Sequence, residues 1–227
     1  MYFLINIQAA CMQETSERRS NRSRTEATRK KLISAARQLF AKKGYAETGT
    51  PEIVKAAAVT RGALYHHFED KSDLFRAVVR QEADAVARHI ERETLDPASA
   101  LDALLTGMDA YFDAVNKPGR VRILLLDGPA VLGQKEMNRI DRETGGEELK
   151  EGLAYALGKE EDRDYPLDAL TLIISAAFDK AALAIAEGDE RHQYHKALSA
   201  IFSALIEKIL LAYLLDLLLR YATTKKD

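Results

Sequence analysis

Thr50-Pro51-Glu52-Ile53-Val54-Lys55-Ala56-Ala57-Ala58-Val59-Thr60-Arg61-Gly62-Ala63-Leu64-Tyr65-His66-His67-Phe68 reads as two short helices separated by a turn. Thr50 is placed to cap the first, whose first helical position falls on Pro51, where a missing N–H costs nothing; Ile53, Val54 and Ala57 form its apolar face. The first helix is expected to end near Ala58. After Val59, Thr60 is placed to cap the second helix, on which Leu64 and Phe68 lie four apart on the buried side. The opposite face carries Arg61, Gly62, Ala63, Tyr65, His66 and His67. These residues are small or hydrogen-bonding, and they leave the backbone free to approach a nucleic-acid groove.

On either side the pattern continues. Helical spacing of Ile33, Ala36, Leu39 and Phe40 predicts a first helix from about Thr25 to Lys43, stopped by Gly44 at its C-terminus. Following Asp70-Lys71, Ser72 is a candidate cap for a fourth helix that runs through Leu74, Phe75, Val78, Val79, Ala83 and Val86 to about Glu93. Two short amphipathic helices also occur in ordinary bundles. The wording here is more specific, and Gly44-Tyr45, Leu64-Tyr65-His66-His67-Phe68 and Lys71-Ser72-Asp73-Leu74-Phe75 together resemble the TetR/AcrR family of bacterial repressors. Over residues 25–80 the resemblance is strong. Beyond them it rests on helical layout and on Ile123-Leu124-Leu125-Leu126-Asp127-Gly128-Pro129-Ala130, similar to a C-terminal domain of some members.

The resemblance implies an all-α chain: residues 1–24 as a flexible basic arm, 25–72 as a three-helix helix-turn-helix domain, and 73–227 as a helical bundle for dimerisation and effector binding. It also implies a double-stranded DNA operator, palindromic because the reader is a homodimer, and a small-molecule effector of unread identity. A shift of helix four would couple the two domains. Two positions depart from the family pattern. Members usually have Gly before the valine of the turn, so Ala58 must either avoid a positive φ or tolerate strain; Gly49-Thr50 is looser than the usual Thr-Thr.

Chemistry assigns roles along the reading helix. Arg61 is the candidate for a bidentate contact with a guanine edge, worth about 1–3 kcal/mol of discrimination. Tyr65 and His66 suit sugar, phosphate or a thymine methyl, and His67, Thr50 and Lys71 suit phosphate anchoring. Thr60, Gly62 and Ala63 complete the expected DNA-facing set. His66 and His67 also fit a second reading, as surface groups without a role.

The charge is uneven. Residues 12–71 hold 13 Lys and Arg against 7 Asp and Glu, net +6, whereas the other residues hold 20 against 28, net −8. That asymmetry fits a front end that meets phosphates and a remainder that does not. Met1 to Cys11 carries no charge, lacks a basic leader pattern and is too short to span a bilayer; Met12 opens the arginine-rich part and is an alternative translation start. Cys11 is the sole cysteine, so no internal disulfide is possible, which suits a reducing cytoplasm.

From Pro97 on, helical patterns are separated by breakers at Lys117-Pro118-Gly119, Asp127-Gly128-Pro129, Thr144-Gly145-Gly146, Gly158 and Tyr165-Pro166. The two closing segments, about Leu167 to Glu187 and Glu190 to Tyr221, are expected to form a four-helix bundle across a two-fold axis. Leu172, Ile173, Ala176, Leu198, Ile201, Phe202, Leu205 and Ile209 are the expected interface, extended by the apolar run Leu210 to Leu219. Glu207, Lys208 and Asp216 make membrane insertion of that run unfavourable. An effector pocket is expected among Leu104, Met108, Tyr111, Phe112, Leu125, Leu126, Phe178 and Leu183, with no convergence of polar groups in view.

HExxH, P-loop, GxSxG and paired-cysteine patterns are absent from the sequence. His192 and His195 read as a surface pair, so neither catalysis, a metal nor a cofactor is expected. An effector-independent architectural module or a protein-partner module with the same DNA head is the competing reading; a filled bundle would mark it. The arm's Arg18, Arg19, Arg22 and Arg24 fit two roles, a phosphate or minor-groove contact and a solvated tail. Deleting residues 1–24 is expected to lower DNA affinity and flatten its dependence on salt, measured by titration at several ionic strengths; an unchanged slope would remove the arm from the interface.

Overall fold

A computed structural model describes the backbone of residues 2–144, 146–158 and 166–224, and side chains over 23–144, 149–158 and 166–207. The chain divides after Val79 into two compact units. Every regular element among the described residues is helical.

The first unit contains α1 (Tyr2–Lys43), α2 (Thr50–Ala56), α3 (Arg61–His67) and the start of α4 (Lys71–Glu93). Helical backbone continues back to Tyr2, so α1 has no boundary near Thr25. Its other end is as the sequence predicts. Gly44 adopts φ 85° and its N–H donates to the Phe40 carbonyl at 2.8 Å, a left-handed stop that glycine reaches without a Cβ penalty. Leu32, Ala36, Phe40, Ile53, Leu64, Phe68, Leu74 and Phe75 fill the core of this unit. Each large side chain buried there contributes roughly 1.5–3 kcal/mol. Phe40 meets Phe75 edge-on at 5.1 Å, and Tyr45 lies 4.9 Å from Phe75, so the α1–α2 link is pinned to α4 by aromatic contact.

Two caps differ from expectation. Gly49, extended at φ −95° and ψ 149°, precedes α2, and Thr50 is the first helical residue without a capping bond. For α4 the cap is Asp70, whose Oδ1 accepts the Asp73 N–H at 2.7 Å. Ser72 instead bonds to the Tyr45 phenol from inside the first turn. A carboxylate one residue before the helix matches an orphan N–H better than a hydroxyl already within it.

The second unit continues along α4 and adds α5 (Ala100–Val115), a π-helical segment (Arg122–Asp127), α6 (Gly128–Leu132), α7 (Gln134–Thr144), α8 (Gly146–Leu157), α9 (Leu167–Glu187) and α10 (Arg191–Thr224). Ser99 caps α5, accepting from the Asp102 N–H at 3.1 Å, and Asp102 reaches back to the Ala98 N–H at 2.9 Å. Leu104, Met108, Phe112, Ile123, Ile140, Leu153, Phe178 and Phe202 form the core. α9 ends at Gly188 with φ 114°, where Asp189 and Gly188 donate to Ala184 and Ile185 in a Schellman pattern. By length and composition α9 would also pass for a bilayer span, but it packs against α5 and α8.

A buried ion pair lies within this unit. Arg120 Nε donates to Glu82 Oε2 at 2.8 Å, both side chains are at most 9 % exposed, and Arg120 Nη1 donates to the Ala114 carbonyl at 2.6 Å. It joins α4 to the turn after α5.

Asp127-Gly128-Pro129 is not a break. The helix passes through it and stops at Gly133, φ 80°. The Gly128 N–H donates to the Ile123 carbonyl five residues back, and this wider π turn carries the chain past the missing N–H of Pro129. Glycine is required at 128. A Cβ there would lie 2.9 Å from the Ile123 carbonyl oxygen and 3.0 Å from the Met137 thioether. Gly128→Ala is therefore expected to destabilise the protein by about 1–3 kcal/mol in urea unfolding, since a backbone oxygen cannot move aside as a side chain can.

Candidate nucleic-acid interface

The turn between α2 and α3 sets the angle at which the reading helix is presented. Its chain direction reverses at Ala58, which sits at φ 51°, the one non-glycine with positive φ among the described residues. The hydrogen bonds explain why. Val59 N–H donates to the Val54 carbonyl at 3.1 Å and Ala58 N–H to the Lys55 carbonyl at 3.2 Å, which is the Schellman closure that demands a left-handed residue at this point. The chain thus tolerates strain at Ala58, at a cost of about 1–2 kcal/mol. Immediately afterward Thr60 caps α3, its Oγ1 accepting the Ala63 N–H at 3.1 Å.

Leu64 and Phe68 are buried, as their spacing predicts. Arg61, Gly62, Tyr65 and His66 are exposed, with Ala63 and His67 half-buried beside them. Thr50, Arg61 and Tyr65 come together: the Arg61 guanidinium lies 5.5 Å from the centre of the Tyr65 ring. Hydrogen bonds first from Thr50 and then from Arg61 hold the Tyr65 phenol below its ordinary range. The hydroxyl of Thr50 therefore ties α2 to α3. Gly62 has no steric need to be glycine inside the protomer, because a Cβ there would meet nothing nearer than the Thr60 hydroxyl at 3.9 Å.

His66 and His67 meet edge-on at 5.3 Å. Burial, followed by the charges of His66 and Arg29, lowers the His67 pKa, making it a neutral hydrogen-bonding group near neutral pH rather than a cation. Arg29 is a basic group that the motif alone does not bring to the site. Its guanidinium lies 5.1 Å from the centre of the Phe68 ring, next to the end of α3. Only the four-residue register of α1 could have pointed to it.

Lys71 is engaged within the protein. Its ammonium donates to the Tyr45 and Thr48 carbonyls at 3.0 and 3.1 Å and lies 4.0 Å from the Tyr45 ring centre. Thr48 is itself buried and donates to the Gly44 carbonyl at 2.8 Å. The α1–α2 link is thus organised around one cation, and Lys71 has at most one N–H left for a phosphate.

Among the described residues no group of His, Cys, Asp and Glu is arranged to hold a metal. His195 Nε2 lies 3.2 Å from Asp109 Oδ2, and Arg191 bonds to Asp109 and Asp113, so this histidine belongs to the junction of α10 with α5.

Two family models match. The bacterial regulatory protein, tetR family model covers residues 32–78, and a tetracyclin repressor-like C-terminal domain covers 101–209. The chain is 26% identical over 158 residues to the Transposon Tn10 TetC protein of Escherichia coli, 70% of this chain and 80% of that one. It is 37% identical over 108 residues to the HTH-type transcriptional regulator AcrR of Shigella flexneri, 47% of this chain and 50% of that protein. A TetR-family transcriptional regulator from Pectobacterium atrosepticum has the same fold, with TM-score 0.62 and 28% identity over 83% of this chain and 96% of the other.

Replacing Ala58 by glycine is expected to raise stability by about 0.5–1 kcal/mol, the relief of left-handed strain exceeding the extra entropy lost on folding. Urea unfolding of both proteins measures it; a lower midpoint for Ala58→Gly would contradict the strain assigned to this turn.

Proposed function

Since the chain belongs to the TetR family of helix-turn-helix transcriptional regulators, we propose that it is a repressor that binds a palindromic operator as a homodimer and leaves it when a small, largely apolar effector binds. One observation supports the DNA half most directly: Arg61, Tyr65 and Thr50 converge on the exposed face of a capped helix whose other face is core. Arg61 reads a base edge. Gly62 and Ala63 let the α3 backbone approach the groove, while Thr60 holds the helix start. Tyr65, His66 and neutral His67 contact sugar and phosphate. Lys71 acts chiefly through the link it ties, and secondarily through one remaining N–H.

A second copy of the chain would cover α9 and α10. Leu172, Ile173 and Ile201 are 60%, 65% and 51% exposed in the protomer, with Ala176 exposed beside them, an apolar face that water alone leaves costly. Leu198 and Phe202 are corrected: at 5% and 1% exposure they belong to the protomer's own core, on the side of α10 away from that face. Leu205 is half-buried, while the side chains of Ile209 and of Leu210 to Leu219 lie outside the described residues.

Of the expected effector residues, Leu104, Met108, Phe112 and Phe178 are buried. Tyr111, Leu125 and Leu183 are half-buried, which suits a lining position better. Leu126 is 52% exposed. The protein acts where the chromosome is, in the cytoplasm.

Selection of bound fragments from a random DNA pool tests the reading. A palindrome with half-sites about one helical turn apart is expected; no enrichment would overturn it. On the selected operator, Arg61→Ala is expected to lose about 1–3 kcal/mol of sequence discrimination. Lys71→Ala should weaken cognate and scrambled DNA alike while lowering the unfolding midpoint. Equal losses on both DNAs from Arg61→Ala would remove it as the reader.

A further inference from the structure

Three nitrogen-bearing side chains meet at the far end of α3 around one aromatic ring. His66 and His67 stand edge-on with ring centres 5.3 Å apart, and His67 lies 6.4 Å from the Phe68 ring. Arg29 of α1 closes the corner from the other side, its guanidinium 5.1 Å from the centre of that same ring. His66 and Arg29 are exposed, and His67 is half-buried. Among the described residues no carboxylate pairs with any of the three.

The acids of the surrounding elements are engaged elsewhere or face solvent. Asp70 Oδ1 accepts the Asp73 N–H, Asp73 Oδ2 accepts the Glu69 N–H, and Asp73 Oδ1 pairs with Arg76. Glu52 of α2 pairs with Lys43 at 2.6 Å, and the side chains of Glu26 on α1 and Glu69 before α4 are exposed. Of the charged groups on α1, α2 and the start of α4, Arg29 alone acts on His67, together with His66 of its own helix. Burial, the His66 ring and the Arg29 guanidinium all disfavour an imidazolium at 67 in the free protein. An anion set between Arg29 and the two rings would reverse the last two of these, and its oxygens would accept from every N–H that turns toward it.

We propose that operator binding is linked to proton uptake: a backbone phosphate docks in the corner formed by Arg29, His66 and His67, and the histidine pair gains a proton as it docks. This rests on the DNA-binding reading above and adds a regulation of that same face. Its sign follows from linkage. Phosphate raises the histidine pKa above the value in the free protein, which for His67 lies below the ordinary histidine range. The added affinity is therefore complete below the free value and is lost as the pH rises through the bound one. Arg29 supplies the part of the grip that acidity does not change.

Anisotropy of a labelled operator fragment titrated with the full-length protein, at one ionic strength and at about pH 8 and about pH 5.5, reads the linkage. The dissociation constant is expected to fall about tenfold toward acid, the equivalent of one pKa unit, and the salt slope to steepen by about one phosphate contact. His67→Gln and His66→Gln should each flatten both responses. His66 is exposed, so its variant keeps the test alive if His67→Gln does not fold. His192→Gln, which removes an exposed histidine of the second unit, should leave the responses intact and controls for titration elsewhere in the chain. Arg29→Gln should weaken cognate and scrambled DNA alike at both pH values. Calorimetry in two buffers of different ionisation heat counts the protons directly, and about one per protomer is expected midway between those pH values, with fewer in either histidine variant. A pH dependence that survives in both histidine variants, one that disappears in His192→Gln, a proton count of zero, or wild-type affinity in Arg29→Gln would each overturn the inference. Operator binding that stays level from about pH 8 to about pH 5.5 would remove the proton link and leave the regulator reading standing. No DNA binding at either pH would overturn both.

Discussion

One ammonium group organises the DNA-binding unit. Lys71 satisfies two loop carbonyls and lies over the Tyr45 ring, so the link between α1 and α2 is fastened to the first turn of α4. Tyr45 in turn packs on Phe40 and Phe75, and Thr48 closes back onto Gly44. A cation can do this where an apolar side chain cannot. Removing it would take that donor from the Thr48 carbonyl and leave the Tyr45 carbonyl with the Thr48 N–H alone, costing about 1–3 kcal/mol where water cannot reach the Thr48 oxygen. That link leads directly into the start of α2, while the turn at Ala58 is closed by its own Schellman hydrogen bonds.

Much of this was legible in the residues. Gly44 as a helix stop, Thr60 as a cap, Leu64 and Phe68 as core, and the limits of α9 follow from local chemistry acting over four or five positions. The misses have the opposite character. Thr50 and Ser72 do not cap their helices because distant partners engage their hydroxyls: Tyr65 bonds to Thr50, and Tyr45 bonds to Ser72 while Asp70 caps α4. Gly128-Pro129 has the composition of a turn, but a π register absorbs it. Phe202 and Ile201 are neighbours in a similarly apolar run, and only the packing of α10 against α5 and α8 decides which of them turns inward.

Charged groups in the second unit tie its helices together. Glu82 and Arg120 are buried together and satisfy each other, with the Ala114 carbonyl taking a further N–H. Such a pair contributes little net stability over an apolar replacement, and it fastens α4 to the turn at Lys117 to Gly119. Asp179 accepts a hydrogen bond from the Tyr111 hydroxyl, which joins α9 to α5 in the same unit.

Ala58 also limits what this turn can become. A left-handed backbone is cheap for glycine, accessible to asparagine and aspartate, and prohibitive for valine, isoleucine or threonine, whose branched Cβ collides with the neighbouring carbonyl. A single-nucleotide change from an alanine codon reaches glycine, valine, threonine, serine, proline and an acidic residue. Valine and threonine carry the branch, and proline cannot adopt φ 51° at all. The accessible mutational neighbourhood of position 58 is therefore lopsided: one neighbour relaxes the turn between α2 and α3, and several would misfold it without touching the exposed face of α3.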